Sequence, residues 1–464
     1  MSSDEHVKST LRKTPVSQNG RTVNYNSQKD PHRKIKWGIW TFFLLLVFEG
    51  GLRKWVLPGL ATPLLVVRDP IVIWILILAY RQGVIVMNKY VLGMVFIGVI
   101  SFFAAVLSGH GNFYVAIFGA RILLFHFPLI FVIGRVFTWQ DVIKMGQFSL
   151  WLTLPMAILI AIQFYSPQSA FVNRGVGGDE AGAGFTGALD YFRPPGTFSF
   201  TNGTSLFFGF VTCFIIYFWL NRKLMNQIVL IAATAGLLAA IPLSISRGLL
   251  FQVVLTVLFA VLATFRKPEY IGRMLLAIMG AVVVFVALSN TSFFQTATGA
   301  FSNRFETANE VEGGLEGTLL DRYLGGLVGA INSSSTQPFF GYGIGIGTNV
   351  GSMLLGGEVT FLIAEGEWGR LIGETGIVMG LGIIFIRLGL SYRIAMNSYK
   401  QLAKNNLLTW MLLPFCLTNL PQGQWAQPTS LGFSVLIAGL IIASFNVKSR
   451  KQALKALLIV KAPK

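Results

Sequence analysis

"FLIAEGEWGRLIGETGIVMGLG", residues 361–382, gathers Glu365, Glu367, Arg370 and Glu374 within ten positions, just ahead of a long apolar run. The chain has only 19 acidic residues, so three of them at one boundary need an explanation. On a helix, Glu367, Arg370 and Glu374 share one face at spacings of three and four and can pair there. If the helix begins here, they occupy its N-terminal end, where the macrodipole favours acids. Glu365 falls off that face and is free to point elsewhere. Everything then depends on whether the apolar run crosses a membrane.

Composition answers that. Of 464 residues, 53% are hydrophobic and 12% charged, with a mean hydropathy of +0.64. A soluble globular chain carries roughly 25% charged residues. Apolar runs of about 17–25 residues, long enough to cross a hydrocarbon core, recur along the chain. They predict twelve spans, near 37–52, 64–81, 90–108, 113–134, 148–165, 203–220, 225–243, 247–265, 273–290, 368–390, 406–420 and 430–447. The runs are long and uniform, unlike the short alternating strands of an outer-membrane barrel. The predicted class is an all-α polytopic integral membrane protein.

Its parts are a basic cytoplasmic tail over 1–36, helices one to nine over 37–290, a large external loop over 291–367, helices ten to twelve over 368–447, and a second basic tail over 448–464. The first tail is polar and expected to be disordered, with no apolar core of a cleavable signal peptide. Cys213 and Cys416 both fall in apolar segments and suggest neither a disulfide nor a metal site.

The positive-inside rule orients the bundle. Arg81/Lys89, Arg135/Lys144, Arg222/Lys223, Arg266/Lys267/Arg273 and Arg393/Lys400/Lys404 mark inner loops, with both termini cytoplasmic. The stretches 166–202 and 291–367 then face outward. Of 17 lysines only Lys54 lies outside; the other outer cations are Arg53, Arg68, Arg174, Arg193, Arg247, Arg304, Arg322 and Arg370. Topology explains this if the outer arginines pair with outer acids. Alternatively, arginine's planar fork suits phosphate and carboxylate better than lysine does. The net charge of +18 sits mostly in tails and inner loops, where anionic lipid headgroups attract it. Membrane lipids are therefore expected partners and nucleic acid is not.

Four stretches stand out as carriers of chemistry. In "YFRPPGTFSFTNGTSLFFGF", residues 191–210, Arg193 precedes two prolines that hold the chain extended. Thr201 or Asn202 offers an N-cap whose helix would present outward amides to an anion. "LSISRGLL", residues 243–250, is a short outer hairpin with Arg247 at its tip or just within the eighth span. Arg121 lies mid-span, where a charge usually faces a partner or a wet cavity. In "EGTLLDRYLGGLVGAINSSSTQPFFGYGIGIG", residues 316–347, a surface helix over 316–331 carries Asp321 and Arg322. Pro338 follows it, and Gly341, Gly343, Gly345 and Gly347 read as a flexible turn. No strand–turn–helix unit frames these glycines as a dinucleotide site.

The four histidines are His6, His32, His110 and His126, none of them in a long outer stretch. No Asp-x-Asp motif, Walker A loop or His/Cys metal spacing appears, so no cofactor is expected.

With these motifs in order, the chain resembles the O-antigen ligase and O-antigen polymerase superfamily of bacterial envelope enzymes. "RPPGTFSFTN" resembles the family's Arg-x-x-Gly-Thr-Phe…Asn entry to a helix, and "SISRG" its Ser-Arg-Gly turn. The run from Arg322 to "PFFGYGIG" resembles its Arg…Pro-x-x-Gly-x-Gly pattern, and "AEGEWGRLIGETG" its closing Glu-x-Gly segment. The resemblance covers about residues 190–380. It implies a bacterial inner-membrane enzyme that moves a glycan, without a metal and with inversion, from a polyprenyl-pyrophosphate carrier to a sugar hydroxyl. Chain-length or export proteins would be further partners.

By position, Arg247 and Arg322 would hold the pyrophosphate and stabilise its departing charge, with Arg193 positioning the loop or the donor. Glu365 stands where ligases carry an acceptor-activating histidine, and a carboxylate could take that proton. The substitution favours a polymerase or divergent transferase over a ligase. Arg121, Arg370 and Glu367 complete the expected substrate-binding set. Two other classes stand against this one. A transporter or flippase for a lipid-linked glycan would use intramembrane ionisable residues such as Arg121 and the Arg68–Asp69 pair; a non-catalytic component of a polysaccharide assembly complex would use neither.

The topology has a direct check. Cysteines placed at Ser334 and Gln168 should react with a membrane-impermeant thiol reagent in intact cells, and one at Asn405 should not. Labelling at Asn405 alone would invert the orientation.

Overall fold

The computed structural model describes residues 30–312, 326–333, 335, 337–355 and 366–446. Each of the twelve predicted segments carries an apolar helix. In chain order they are α1 (Arg33–Gly51), α2 (Arg68–Arg81), α3 (Lys89–Leu107), α4 (Phe113–Val136), α5 (Trp139–Tyr165), α6 (Thr201–Leu220), α7 (Gln227–Leu243), α8 (Arg247–Arg266) and α9 (Ile271–Ser289). After the intervening helices α10 (Ser292–Glu312), α11 (Gly326–Ser333) and α12 (Asn349–Leu354) come α13 (Glu367–Ala403), α14 (Leu407–Asn419) and α15 (Pro428–Ser444). Among the described residues nine helical stretches are long and apolar enough to cross a membrane, α2 counting with the helical turns before it as Pro58–Arg81; α7, α14 and α15 are apolar but shorter than these. The chain is an all-α membrane protein.

Local chemistry sets the helix starts. Asn88 and Asn112 accept hydrogen bonds from first-turn amides of α3 and α4, and Thr138 with Asp141 closes a capping box on α5. The bundle is built around α15, in which every residue from Ser430 to Ser444 except Ile442 is buried. Small residues permit that crowding: a Cβ at Gly439 would lie 2.6 Å from Ile133 Cβ on α4. At the opposite extreme α9 has no buried residue, and its Leu275 and Val283 are 61% and 64% exposed. So apolar a helix surface is what lipid tails, not water, would cover.

The tenth apolar segment departs from its expected form. Gly376, inside α13, has φ 78° and ψ 166°, a conformation open essentially to glycine alone. A side chain is excluded there as well, because a Cβ would come 1.9 Å from the Phe339 carbonyl oxygen. The chain reverses at that point. Residues 367–375 fold back along residues 377–403, so that Arg387 Nη1 donates to Glu367 Oε1 at 2.7 Å. In one straight helix residues twenty apart would be about 30 Å apart. Glu367 and Arg370 are therefore not at the outer start of a span beginning near 368. They lie in a short reversed arm, with Glu367 beside a residue about 16 Å along the long arm from Gly376. Helix-dipole placement at a membrane rim does not explain them.

Other departures are smaller. The 166–202 stretch is not wholly irregular: β1 (Phe185–Ala188) and β2 (Tyr191–Arg193) form an antiparallel hairpin pairing Phe185 with Arg193. Its turn residues Leu189 and Asp190 both have positive φ, a hairpin geometry that usually announces itself by Asn-Gly. The glycines expected to be a flexible turn are tightly packed. Gly341, Gly343 and Gly345 have positive φ, and Tyr342 and Gly343 amides donate to the Gly373 and Glu374 carbonyls that end the reversed arm. Helix α11 covers the latter part of the predicted surface helix; residues 313–325 lie outside the described residues.

Substituting Gly376 by alanine should cost about 2–5 kcal/mol, from a strained φ plus a backbone clash. Thermal unfolding in detergent would read this as a clearly lowered midpoint. Gly59→Ala, where nothing lies within 4 Å, should leave the midpoint unchanged.

Candidate functional site

Arg193 ends β2 and is held there by the segment that follows it. Gly196 donates its amide to Gln163 Oε1 at 2.7 Å and accepts from Lys54 Nζ at 2.7 Å. Thr204 Oγ1 donates to the Pro194 carbonyl, and Arg53 Nη1 donates to Ser199 Oγ at 3.0 Å. Lys54, the one lysine expected outside, is thus a buried strut, 1% exposed and resting on the Trp55 ring. The hairpin also leans on the turn before α8. The register slips at Gly187, where a Cβ would meet Ile245 Cδ1 at 2.5 Å and Arg193 Cγ at 3.5 Å. Only glycine lets the two turns approach so closely.

Across that contact, Ser246 caps α8, its Oγ accepting from the Leu249 amide, and Arg247 opens the first turn. Helix α10 closes the third side. Phe305 packs edge-on against Phe251 of α8 at 6.0 Å, and Tyr165 at the end of α5 donates to the Phe293 carbonyl. Arg304 lies beside that Phe305 contact. Burial lowers the Arg193 pKa, and the charges of Arg304 and Arg247 lower it further. Arg193 Nε is buried without a hydrogen-bond partner. Among the described residues no ion pair joins Arg193 or Arg304 to an acid.

The buried arginines behave differently. Arg53, Arg68, Arg121, Arg370 and Arg387 are the five buried arginines among the described residues, and each has a carboxylate within 4 Å. Glu49 lies 2.9 Å from Arg68 and 3.6 Å from Arg53. Asp69 accepts from Arg121 Nη1 at 2.6 Å and lies 2.8 Å from His126 Nε2. The neighbours Arg68 and Asp69 therefore do not pair with each other; they turn to different helices. Arg121 sits just before a π-helical turn at Ile122–His126 and lies over the Phe118 ring at 3.7 Å.

A second network surrounds the reversed arm. Glu367 accepts from Arg370 through both oxygens and from Arg387 Nη1. Glu374 accepts from Arg370 Nη1 at 2.6 Å and from the amides of Gly345 and Gly347. Glu367 and Arg370 thus bond to each other, to Arg387 and to Glu374 inside the protein.

Of the expected site residues, Arg193 and Arg247 come together, and Arg304 joins them. Arg121 belongs to the separate Asp69 cluster. Arg322 and Glu365 lie outside the described residues. Neither Thr201 nor Asn202 caps α6: Phe200 holds the cap position without a side-chain bond, and the Asn202 amide reaches Gln427 instead. The sequence listed Arg304 only as one outer arginine among eight, and nothing local to it signals a role. Arg387 does carry a signal in the sequence, because an arginine inside the tenth apolar segment is a visible anomaly.

No protein-family model matches the chain, and no curated protein matches it.

Stability separates the two kinds of arginine. Arg387→Leu should destabilise the protein by about 3–5 kcal/mol, since it strips a buried carboxylate of a partner. Arg304→Leu should leave the unfolding midpoint unchanged or raise it, because it relieves repulsion and breaks no ion pair among the described residues.

Proposed function

We propose that the chain is a membrane-embedded glycosyltransferase that takes a glycan from a polyprenyl-pyrophosphate carrier and joins it to a sugar hydroxyl at the outer face. The observation that carries this reading is the arginine cluster: Arg193, with its Nε buried and unbonded, facing Arg247 and Arg304. Holding cations together costs free energy unless an anion arrives. A pyrophosphate, with several negative charges and many acceptor oxygens, answers that need better than a single carboxylate. The motifs "RPPGTFSFTN" and "SISRG" support the same reading, because they supply two of the three arginines.

In the reaction, the acceptor oxygen bonds to the sugar's anomeric carbon on the face opposite the carrier as the bond from that carbon to the pyrophosphate oxygen breaks. The polyprenyl pyrophosphate leaves with the electron pair. Guanidiniums at Arg193, Arg247 and Arg304 stabilise the charge that develops on it. The hydroxyl proton goes to a carboxylate, and Glu365 is the residue assigned to receive it. Polymerase activity, with a growing glycan as acceptor, is favoured over ligation because Glu365 replaces the ligase histidine.

Product assays at matched protein levels test this. Alanine at Arg193, Arg247 or Arg304 should lower turnover by about 10²–10³-fold, the scale of losing a donor to a developing oxyanion. Lysine should recover little, because a point charge lacks the fork. Glu365→Gln should lower turnover by about 10²–10⁴-fold with donor binding intact. Full activity in all three alanine variants would sink the proposal.

One observation favours the transporter reading: the Asp69–Arg121–His126 and Glu49–Arg68 clusters are ionisable groups buried among apolar helices. Translocation of a lipid-linked glycan by the purified chain in proteoliposomes, abolished by Asp69→Asn but kept in Arg193→Ala, would decide for it.

A further inference from the structure

"PQGQWAQP", residues 421–428, joins α14 to α15 and places Gln422, Gln424 and Gln427 within six positions. Its backbone is clamped from one side. Arg387 Nε donates to the Leu420 carbonyl and Nη2 to the Gly423 carbonyl, both at 2.8 Å, and Trp368 Nε1 donates to the Pro421 carbonyl at 3.1 Å. Trp425 is buried with its ring 3.9 Å from the Arg387 guanidinium. The turn is thus pinned to both arms of α13, to Arg387 on the long arm and Trp368 on the reversed one, by its main chain and its one aromatic side chain. Gln427, with Gln424 bonded to it, connects the other way, towards α6.

There they link up. Gln427 Nε2 donates to Gln424 Oε1 at 2.7 Å, and Gln427 Oε1 accepts from Asn202 Nδ2. Gln424 is exposed and Asn202 and Gln427 are half-buried, so the row is open to a ligand. Less than a turn along α6, Ser205 Oγ donates to Ser246 Oγ at 2.8 Å, and Ser246 immediately precedes Arg247. Phe200, 57% exposed, stands two residues before Asn202. Uncharged polar side chains therefore lie along the start of α6, from Ser205 beside the Ser246–Arg247 turn to Asn202 and the glutamines it meets.

The Asn202 and Gln427 amides are fixed by the bonds above and keep a second N–H and further lone pairs, which match vicinal hydroxyls that also donate and accept. An exposed phenyl ring beside them offers a face for the apolar C–H side of a pyranose. The amides do not suit a lipid tail, and they bring no charge to a phosphate. We propose that Asn202, Gln424 and Gln427, with Phe200 as a flat apolar neighbour, form a subsite for one sugar unit next to the arginine cluster. This rests on the glycosyltransferase reading for its purpose, but not for its binding chemistry. The sugar is either the unit attached to the pyrophosphate or the accepting end of the other glycan.

The full chain in nanodiscs can be examined by saturation-transfer NMR with free disaccharides built on glucose, galactose and N-acetylglucosamine, and separately by titration with farnesyl pyrophosphate. At least one disaccharide should receive saturation. Asn202→Ala and the near-isosteric Gln427→Met should weaken its binding by about 3–10-fold, the worth of one or two hydrogen bonds, while Arg304→Ala leaves it unchanged. Farnesyl pyrophosphate should show the converse pattern, weakened by Arg304→Ala and indifferent to the amide variants. No saturation from any disaccharide, or saturation indifferent to both amide variants, overturns the subsite. Farnesyl pyrophosphate binding indifferent to Arg304 overturns the pyrophosphate reading and leaves the sugar result standing. In product assays a raised KM for free acceptor alone assigns the unit to the acceptor, a raised KM for donor alone assigns it to the donor, and a change in neither contradicts the inference.

Discussion

A guanidinium removed from water must meet an anion, and in a chain poor in acids that requirement organises the whole molecule. Bringing a lone cation into a membrane helix bundle costs several kcal/mol even after relaxation. Glu49, Asp69, Glu367 and Glu374 answer for Arg53, Arg68, Arg121, Arg370 and Arg387. Glu367 is the hinge of this arrangement, because it bridges two arginines on opposite arms of one reversed helix. Arg193 and Arg304 are half-buried with no carboxylate within 4 Å among the described residues, and in the proposed function the anion that meets them is the substrate's pyrophosphate.

Glycine makes both situations geometrically attainable. At Gly376 it turns the chain back so that Glu367 can reach Arg387, and around Glu374 it lets the 341–347 turn bring two amides to one carboxylate. At Gly187 it lets the hairpin settle on Ile245 and so carries Arg193 to the start of α8. The paired network is buried, whereas the segment that follows Arg193 is held by hydrogen bonds between Lys54, Gln163 and Thr204 and the Pro194–Gly196 backbone.

Much of the architecture was legible in the sequence. All twelve apolar segments carry helices because length and hydropathy alone specify them, and the Ser-Arg-Gly turn does place Arg247 at a helix start. The reversal at Gly376 was not legible, since glycines are ordinary inside membrane helices and nothing marks the one with positive φ. The pairing of Arg121 with Asp69 was equally hidden: the residues are 52 apart in sequence and meet only through tertiary packing. Arg304 joins the site through Phe305 packing on Phe251, a contact with no local signature. The Leu189–Asp190 turn defeats recognition because its geometry is the usual hairpin one, but its residues are not.

The central claim, that the arginine cluster is the seat of a pyrophosphate, is most directly tested by cryo-electron microscopy of the full chain in nanodiscs with undecaprenyl pyrophosphate. The account predicts density for the two phosphates within hydrogen-bonding distance of Arg193 Nε and the Arg304 guanidinium, close to Arg247, with the Glu367–Arg387 pair unchanged. Phosphate density at the Glu49–Arg68 or Asp69–Arg121 clusters, with Arg193 and Arg304 uncontacted, would contradict it.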